Sequence, residues 1–231
     1  MTIIRSKRSV REFYAHALAQ KKNTAENLNA PTSDRFNRLL WSMTSETPPT
    51  AIDLGYGAGN YTLAMARSGF AVVAVDQISG DGLRELARSE PDLTEMITVT
   101  ECLIERYPIG QEFGLLVARD VLHYLTKTEV GKVLGRAVSL SGSQNVHYLE
   151  VFTDISRTSL SGEPIHIEGE AHYSSEEFEA SVADVYRGWD VTCFRSRHAE
   201  QDSTTGRIHF ESTRVTVVAK RRPHRSRGKG T

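Results

Sequence analysis

The stretch that decides the fold opens Ala51-Ile52-Asp53-Leu54-Gly55-Tyr56-Gly57-Ala58-Gly59-Asn60 and closes Ala71-Val72-Val73-Ala74-Val75-Asp76. Ala51–Leu54 is a short apolar run that ends in three glycines at alternate positions. Asn60–Arg67 then repeats apolar residues at helical spacing until Gly69 stops it, and Ala71–Val75 has the character of a buried strand. Alternate glycines let the backbone pass close to a ligand at the carboxyl edge of a sheet, where a helix N-terminus also points. Asp76 comes seventeen residues after Gly59, where its carboxylate can accept both hydroxyls of a ribose. The spacing predicts a nucleoside-bearing cofactor here.

A dinucleotide fingerprint asks for a third glycine three residues after the second. That place holds Asn60 counted from Gly57 and Thr62 counted from Gly59, and no Gly-Lys-Ser/Thr follows. Neither a nicotinamide dinucleotide loop nor a nucleoside-triphosphate loop fits. What remains, Asp53-x-Gly55-x-Gly57-x-Gly59 with Asp76 downstream, resembles motif I and the ribose acid of the class I S-adenosylmethionine-dependent methyltransferases. The resemblance covers roughly residues 35–220. It implies an α/β, Rossmann-like fold with a seven-stranded, mostly parallel sheet and helices on both faces. Later strands are expected at Met96–Glu101, within Gly110–Leu125, and at Val146–Phe152, Trp189–Arg195 and Arg214–Ala219.

The same resemblance implies S-adenosylmethionine as cofactor and S-adenosylhomocysteine as product. Asp53, Gly55, Tyr56, Gly57 and Asn60 would hold it at the turn, with Asp76, Gln77 and Ile78 around the ribose. Cys102 and Leu103 would lie at the adenine, and the backbone at Arg119 and Asp120 would receive the methionine amino group. Two positions depart from the family pattern. Cys102 stands where an aspartate is common, and a thiol is a poor acceptor for the adenine amino group; Glu101 or Glu105 would substitute. Gly114 stands where an aspartate usually begins the fourth strand. Within the superfamily the layout is most similar to the small tellurite-resistance-type and related small-molecule methyltransferases, on His172–Phe178, a following helix and Gly188–Val191.

A chain of 231 residues, 39% hydrophobic, can bury one α/β core with an N-terminal extension. The expected division is 1–45 as a helical cap over the active site, 46–220 as the methyltransferase domain and 221–231 as a basic, disordered tail. Cys102 and Cys193 cannot make a disulfide framework; both are expected in strands, reduced, in a cytoplasmic protein. No run approaches a membrane span and no signal-peptide core is present. The net charge is −1, but Lys220–Thr231 holds six basic residues and no acid, against 22 basic and 29 acidic residues before it. An acidic body repels a polyanion, which argues against a nucleic-acid substrate.

Before the glycine turn, Ser9–Leu18 and Ser33–Met43 read as amphipathic helices joined by the polar Lys21–Thr32, with Ser33 as a cap and Phe36, Leu39, Leu40 and Met43 as an apolar face. In the family such helices cover the cofactor and help form the acceptor pocket, which makes Tyr14 and His16 candidates to line it. A sulfonium methyl is already activated, so alignment and exclusion of water are the main tasks. A base is needed only where the acceptor must lose a proton. His123, just after the fourth strand, is the candidate base because histidine titrates near neutrality; the alternative is a ring that anchors the turn by hydrogen bonds, and Tyr124 shares the ambiguity. The other histidines show no metal-ligand spacing, and no metal is expected.

Thr153–Gly169 is too polar for a core element and is expected to be a long lid-like loop carrying Arg157 and His166 toward the acceptor. Ser196–Arg207 is expected to be an exposed connection. Three functions remain: methyl transfer to a small molecule, methyl transfer to a peptide or protein, and a cofactor-binding module without transfer.

Overall fold

The computed structural model describes residues 2–19, 31–43, 49–110, 112–202 and 204–222. The elements run β1 (Ile3–Arg5), α1 (Lys7–Ala19), α2 (Asp34–Ser42), β2 (Thr50–Leu54), α3 (Asn60–Arg67), β3 (Ala71–Asp76), α4 (Asp81–Arg88) and α5 (Pro91–Thr94). They continue with β4 (Ile97–Glu101), β5 (Leu115–Arg119), α6 (Lys127–Leu140), β6 (Val146–Arg157), β7 (Ile165–Ile167), α7 (Ser175–Val185), β8 (Trp189–Gln201) and β9 (Ile208–Arg221). Seven strands form one sheet in the order β4-β3-β2-β5-β6-β9-β8. Neighbours from β4 to β6 pair in parallel, and β9 lies antiparallel to both β6 and β8.

The apolar runs of the central strands follow from burial on both faces. Ile52, Leu54, Leu116, Ala118, Leu149 and Val151 pack with Val130, Leu134 and Phe178 of α6 and α7. Their alternates Ala51, Val72, Ala74, Leu115, Val117 and Tyr148 pack with Phe36, Leu39, Tyr61 and Met65 of α2 and α3. Ser33 caps α2, its hydroxyl accepting from the Phe36 amide at 3.2 Å. Reciprocal capping boxes start α6 at Thr126–Glu129 and α7 at Ser174–Glu177.

Two segments expected as loops are partly strand. β6 runs on to Arg157, and Ile165–Ile167 then pairs in parallel with Ile3–Arg5 to make a second, two-stranded sheet. β8 extends to Gln201 and β9 begins at Ile208, so Ser196–Gln201, the first half of Ser196–Arg207, belongs to a long antiparallel pair. Their polar residues mislead because one strand edge and one face meet solvent, while pairing still satisfies the backbone. Cys102 sits one residue past β4, outside a strand, whereas Cys193 lies in β8; both thiols are free and half-buried. β9 includes Arg221, whose amide donates to the Asn145 carbonyl at 2.9 Å. Most of the expected tail, and residues 21–30 of the linker, lie outside the described residues.

Candidate active site

The turn between β2 and α3 is held by its own amides. Gly55 N–H donates to the Val75 carbonyl at 2.7 Å and Gly59 N–H to the Tyr56 carbonyl at 2.8 Å. Gly55, Gly57 and Gly59 have φ of +76°, +52° and +84°, the left-handed region. A Cβ at Gly55 would stand 2.5 Å from the Val121 side chain and one at Gly59 2.6 Å from Leu83, whereas one at Gly57 would meet nothing within 4 Å. Two of the glycines let the turn pack inward. Gly57 presents bare backbone to open space.

Asp76 faces that opening. One carboxylate oxygen accepts from Gly57 N–H at 3.0 Å and the other from Ile78 N–H at 3.3 Å. Burial pushes this carboxyl up, and the amides of Gly57, Ile78 and Gln77 oppose the shift. Asp53 lies beneath the turn, 2% exposed, and accepts the Thr62 hydroxyl at 2.5 Å. Burial raises it to about 7 despite that hydrogen bond. The Tyr56 hydroxyl is buried without a hydrogen-bond partner among the described residues. Glu101 is committed to Gly80 N–H and Arg84, both at 3.0 Å. Cys102 donates its thiol proton to the Leu103 carbonyl at 3.3 Å. Both Glu101 bonds fall on the same carboxylate oxygen, Oε1.

Arg119 ends β5. Its guanidinium donates to Glu150 at 3.0 Å and lies 5.0 Å from the centroid of the Tyr61 ring in α3. Glu150 also accepts the Tyr148 hydroxyl at 2.5 Å, and Tyr148 meets the capping hydroxyl of Ser33 at 3.0 Å. A polar chain thus joins the start of α2 to the end of β5. No single stretch of sequence signals it, because its members come from the start of α2, from β6 and from β5.

α1 lies across the carboxyl edge of the sheet. Arg11 donates to the Gln77 carbonyl at 3.0 Å, next to Asp76, and Tyr14 and Tyr124 join hydroxyl to hydroxyl. Lys7 pairs with Glu129 at 3.2 Å. His123 is 1% exposed, and neither ring nitrogen has a partner among the described residues. The turn is instead tied by its backbone, the His123 carbonyl accepting from Ala171 N–H at 3.0 Å. Burial, with Arg157 and Arg214 nearby, keeps the imidazole well below 6.5, so the expectation of a ring titrating near neutrality does not survive. Arg157 does reach this region, clamping the buried Glu170 with two hydrogen bonds of 2.6 and 2.7 Å. His166 is exposed on β7, its ring centroid 5.8 Å from that of His172. Arg11, Glu170 and Arg214 had only their charge to mark them in the sequence. Among the described residues no group of three or more His, Cys, Asp or Glu is placed to hold a metal, and no helix is long and apolar enough to cross a membrane.

The strand order is a Rossmann-like fold shared with solved S-adenosylmethionine-dependent methyltransferases. Among solved structures, TehB of Haemophilus influenzae matches with a TM-score of 0.55 at 15% identity, over 90% of this chain and 67% of that one. The 1,6-didemethyltoxoflavin-N1-methyltransferase of Burkholderia thailandensis, solved with 1,6-didemethyltoxoflavin and S-adenosylhomocysteine, matches at 0.55 and 14% identity over 93% and 89% of the two chains. DhpI, in its SAH complex, matches at 0.59 and 14% identity over 94% and 97%. No protein-family model and no curated protein matches the chain. At such identities the likeness is one of fold.

Proposed function

We propose that this chain is an S-adenosylmethionine-dependent methyltransferase acting on a small molecule. The observation that carries the reading is the Asp76 carboxylate bonded to Gly57 N–H at 3.0 Å, beside a glycine with nothing within 4 Å of its Cβ position. A carboxylate has about four lone-pair sites, and the two amides leave room for two ribose hydroxyls. The residues present therefore fit a nucleoside cofactor.

When bound, the cofactor supplies a methyl group already activated by its sulfonium sulfur. The chain's own part is to align and to exclude water. Asp76 takes the ribose, Gly57 admits the cofactor's approach and the Leu103 amide serves the adenine side. Arg119, oriented by Glu150, lies toward the amino-acid end. Tyr14 and Tyr124 close the acceptor side. In this reading residues 1–45 cap a catalytic domain spanning 46–220, and the free thiols of Cys102 and Cys193 suit a cytoplasmic setting.

A covered site favours a small acceptor over a peptide: α1 is tied across the edge at Gln77 and Tyr124, and β1 is paired with β7. Titration calorimetry with S-adenosylmethionine, S-adenosylhomocysteine and NAD tests the cofactor; tighter binding of NAD overturns it. Turnover across thiols, phenols, amines, carboxylates and short peptides separates the small-molecule enzyme from a peptide methyltransferase and from a binding module without transfer.

A further inference from the structure

The upper ends of β6, β9 and β8 project beyond the parallel strands. β5 stops at Arg119, opposite Glu150, while β6 continues to Arg157 with β9 still paired to it. Along this projection the rings form a continuous series. Tyr14 and Tyr124 centroids are 5.7 Å apart, Tyr124 and His123 4.1 Å, His123 and Phe152 5.2 Å, and Phe152 and Phe210 5.2 Å. Two guanidinium groups lie against ring faces: Arg214 is 4.8 Å from the Phe152 centroid and Arg157 5.1 Å from that of Phe210.

A ladder of rings alone is ordinary core. This one stands at the carboxyl edge of an open α/β sheet, where ligands bind. It also buries an imidazole with two unpartnered nitrogens, and such a group costs free energy until something bonds to it. Both cations already face acids, Arg157 on Glu170 and Arg214 on Asp120 at 3.0 Å. An anionic guest would have to compete with a carboxylate in place.

We propose that this cluster is the acceptor subsite, and that it takes a neutral, planar aromatic molecule whose hydroxyl or ring N–H donates a hydrogen bond to His123. The inference rests on the methyltransferase reading and narrows its substrate class. Ring faces and guanidinium planes favour a flat π-system over a saturated ring of the same size. A hydroxyl both donates and accepts, so it can answer either nitrogen of a neutral imidazole. Entry parts the Tyr14–Tyr124 contact, a polar link between α1 and the turn after β5.

The test is titration calorimetry on the full chain saturated with S-adenosylhomocysteine, with phenol, toluene, cyclohexanol and benzoate as probes. Phenol should bind more tightly than each of the others by about tenfold, the scale of one buried hydrogen bond. His123→Phe should erase the preference of phenol over toluene while leaving S-adenosylhomocysteine affinity unchanged, and His123→Gln should keep part of it. Nitrogen-15 NMR of the His123 ring should shift with phenol and not with toluene, a readout independent of turnover. The proposal falls if no probe binds, if cyclohexanol or benzoate matches phenol, or if His123→Phe retains the preference. Failure of S-adenosylhomocysteine itself to bind overturns the methyltransferase reading, and this proposal with it.

Discussion

The Asp76 carboxylate accepts the Gly57 amide proton at 3.0 Å, so the acid closing β3 also braces the turn that follows β2. Asp76→Ala removes the brace and the ribose acceptor together. The loss expected for hydrogen bonds to a charged group is about 1.5–3 kcal/mol in cofactor affinity. Calorimetry beside a thermal melt checks it, and an unchanged affinity would remove Asp76 from the site.

Gly55 and Gly57 share a left-handed φ but face different surroundings. Gly55→Ala drives a methyl into Val121, 2.5 Å away, so backbone strain of roughly 1–2 kcal/mol and overpacking of roughly 1–3 kcal/mol both act on stability. Gly57→Ala meets nothing within 4 Å and carries only the strain, yet its methyl enters the space assigned to the cofactor. Denaturant melts should rank Gly55→Ala as less stable. S-adenosylhomocysteine titration should find Gly57→Ala impaired in binding beyond its loss of stability.

His147 and Asp53 give stability opposite dependences on pH. His147 is fully buried between Ser141 and Tyr186, each 2.9 Å away, and burial lowers it from 6.5 to about 3. The unfolded chain binds a proton there that the native state refuses. Its contribution is therefore present above 6.5 and lost as pH falls toward 3, at up to about 1.4 kcal/mol per pH unit. Asp53 is raised from 3.8 to about 7, so its contribution is present below 3.8 and lost as pH rises through 7. Urea melts across this range should find Asp53→Asn declining less than wild type toward neutral pH. His147→Gln should decline less toward acid.

His123 stays neutral at ordinary pH, because burial, Arg157 and Arg214 all disfavour its charged form. The pH profile of methyl transfer at saturating cofactor should therefore contain no ionisation near 6.5 that His123→Gln removes. A step near neutrality, lost in that variant, would restore the ring as a general base.

Arg157 and Glu170 form a pair in which the carboxylate side chain is 0% exposed. Arg157→Leu leaves that charge uncompensated and should cost about 3–5 kcal/mol, with Glu170→Gln in the same chain recovering much of it. Denaturant titration of the singles and the double measures the coupling. Additive losses would mean that the pair does not act as one unit.

How much of this was legible beforehand depends on how locally each feature is encoded. Glycine spacing, the flanking apolar runs and Asp76 specify one strand-turn-helix-strand unit, and backbone sterics leave little else those residues can form. The extent of β6, β8 and β9 was not legible. Their outer halves, such as Arg195–Gln201, are polar because they meet solvent on one side, and only pairing with a partner distant in sequence makes them strands. The histidine after β5 could be located, but not its state.

The sequence by itself determined the strand-turn-helix-strand unit from Ala51 to Asp76, since that unit rests on short-range patterns of glycine and apolar residues. The tertiary structure decided what gathers around the turn after β5. Tyr14, His123, Arg157, Glu170 and Arg214 come from separate elements and meet only on folding. Their ionisation follows from burial and from one another's charge, and neither quantity exists until the chain has closed around them.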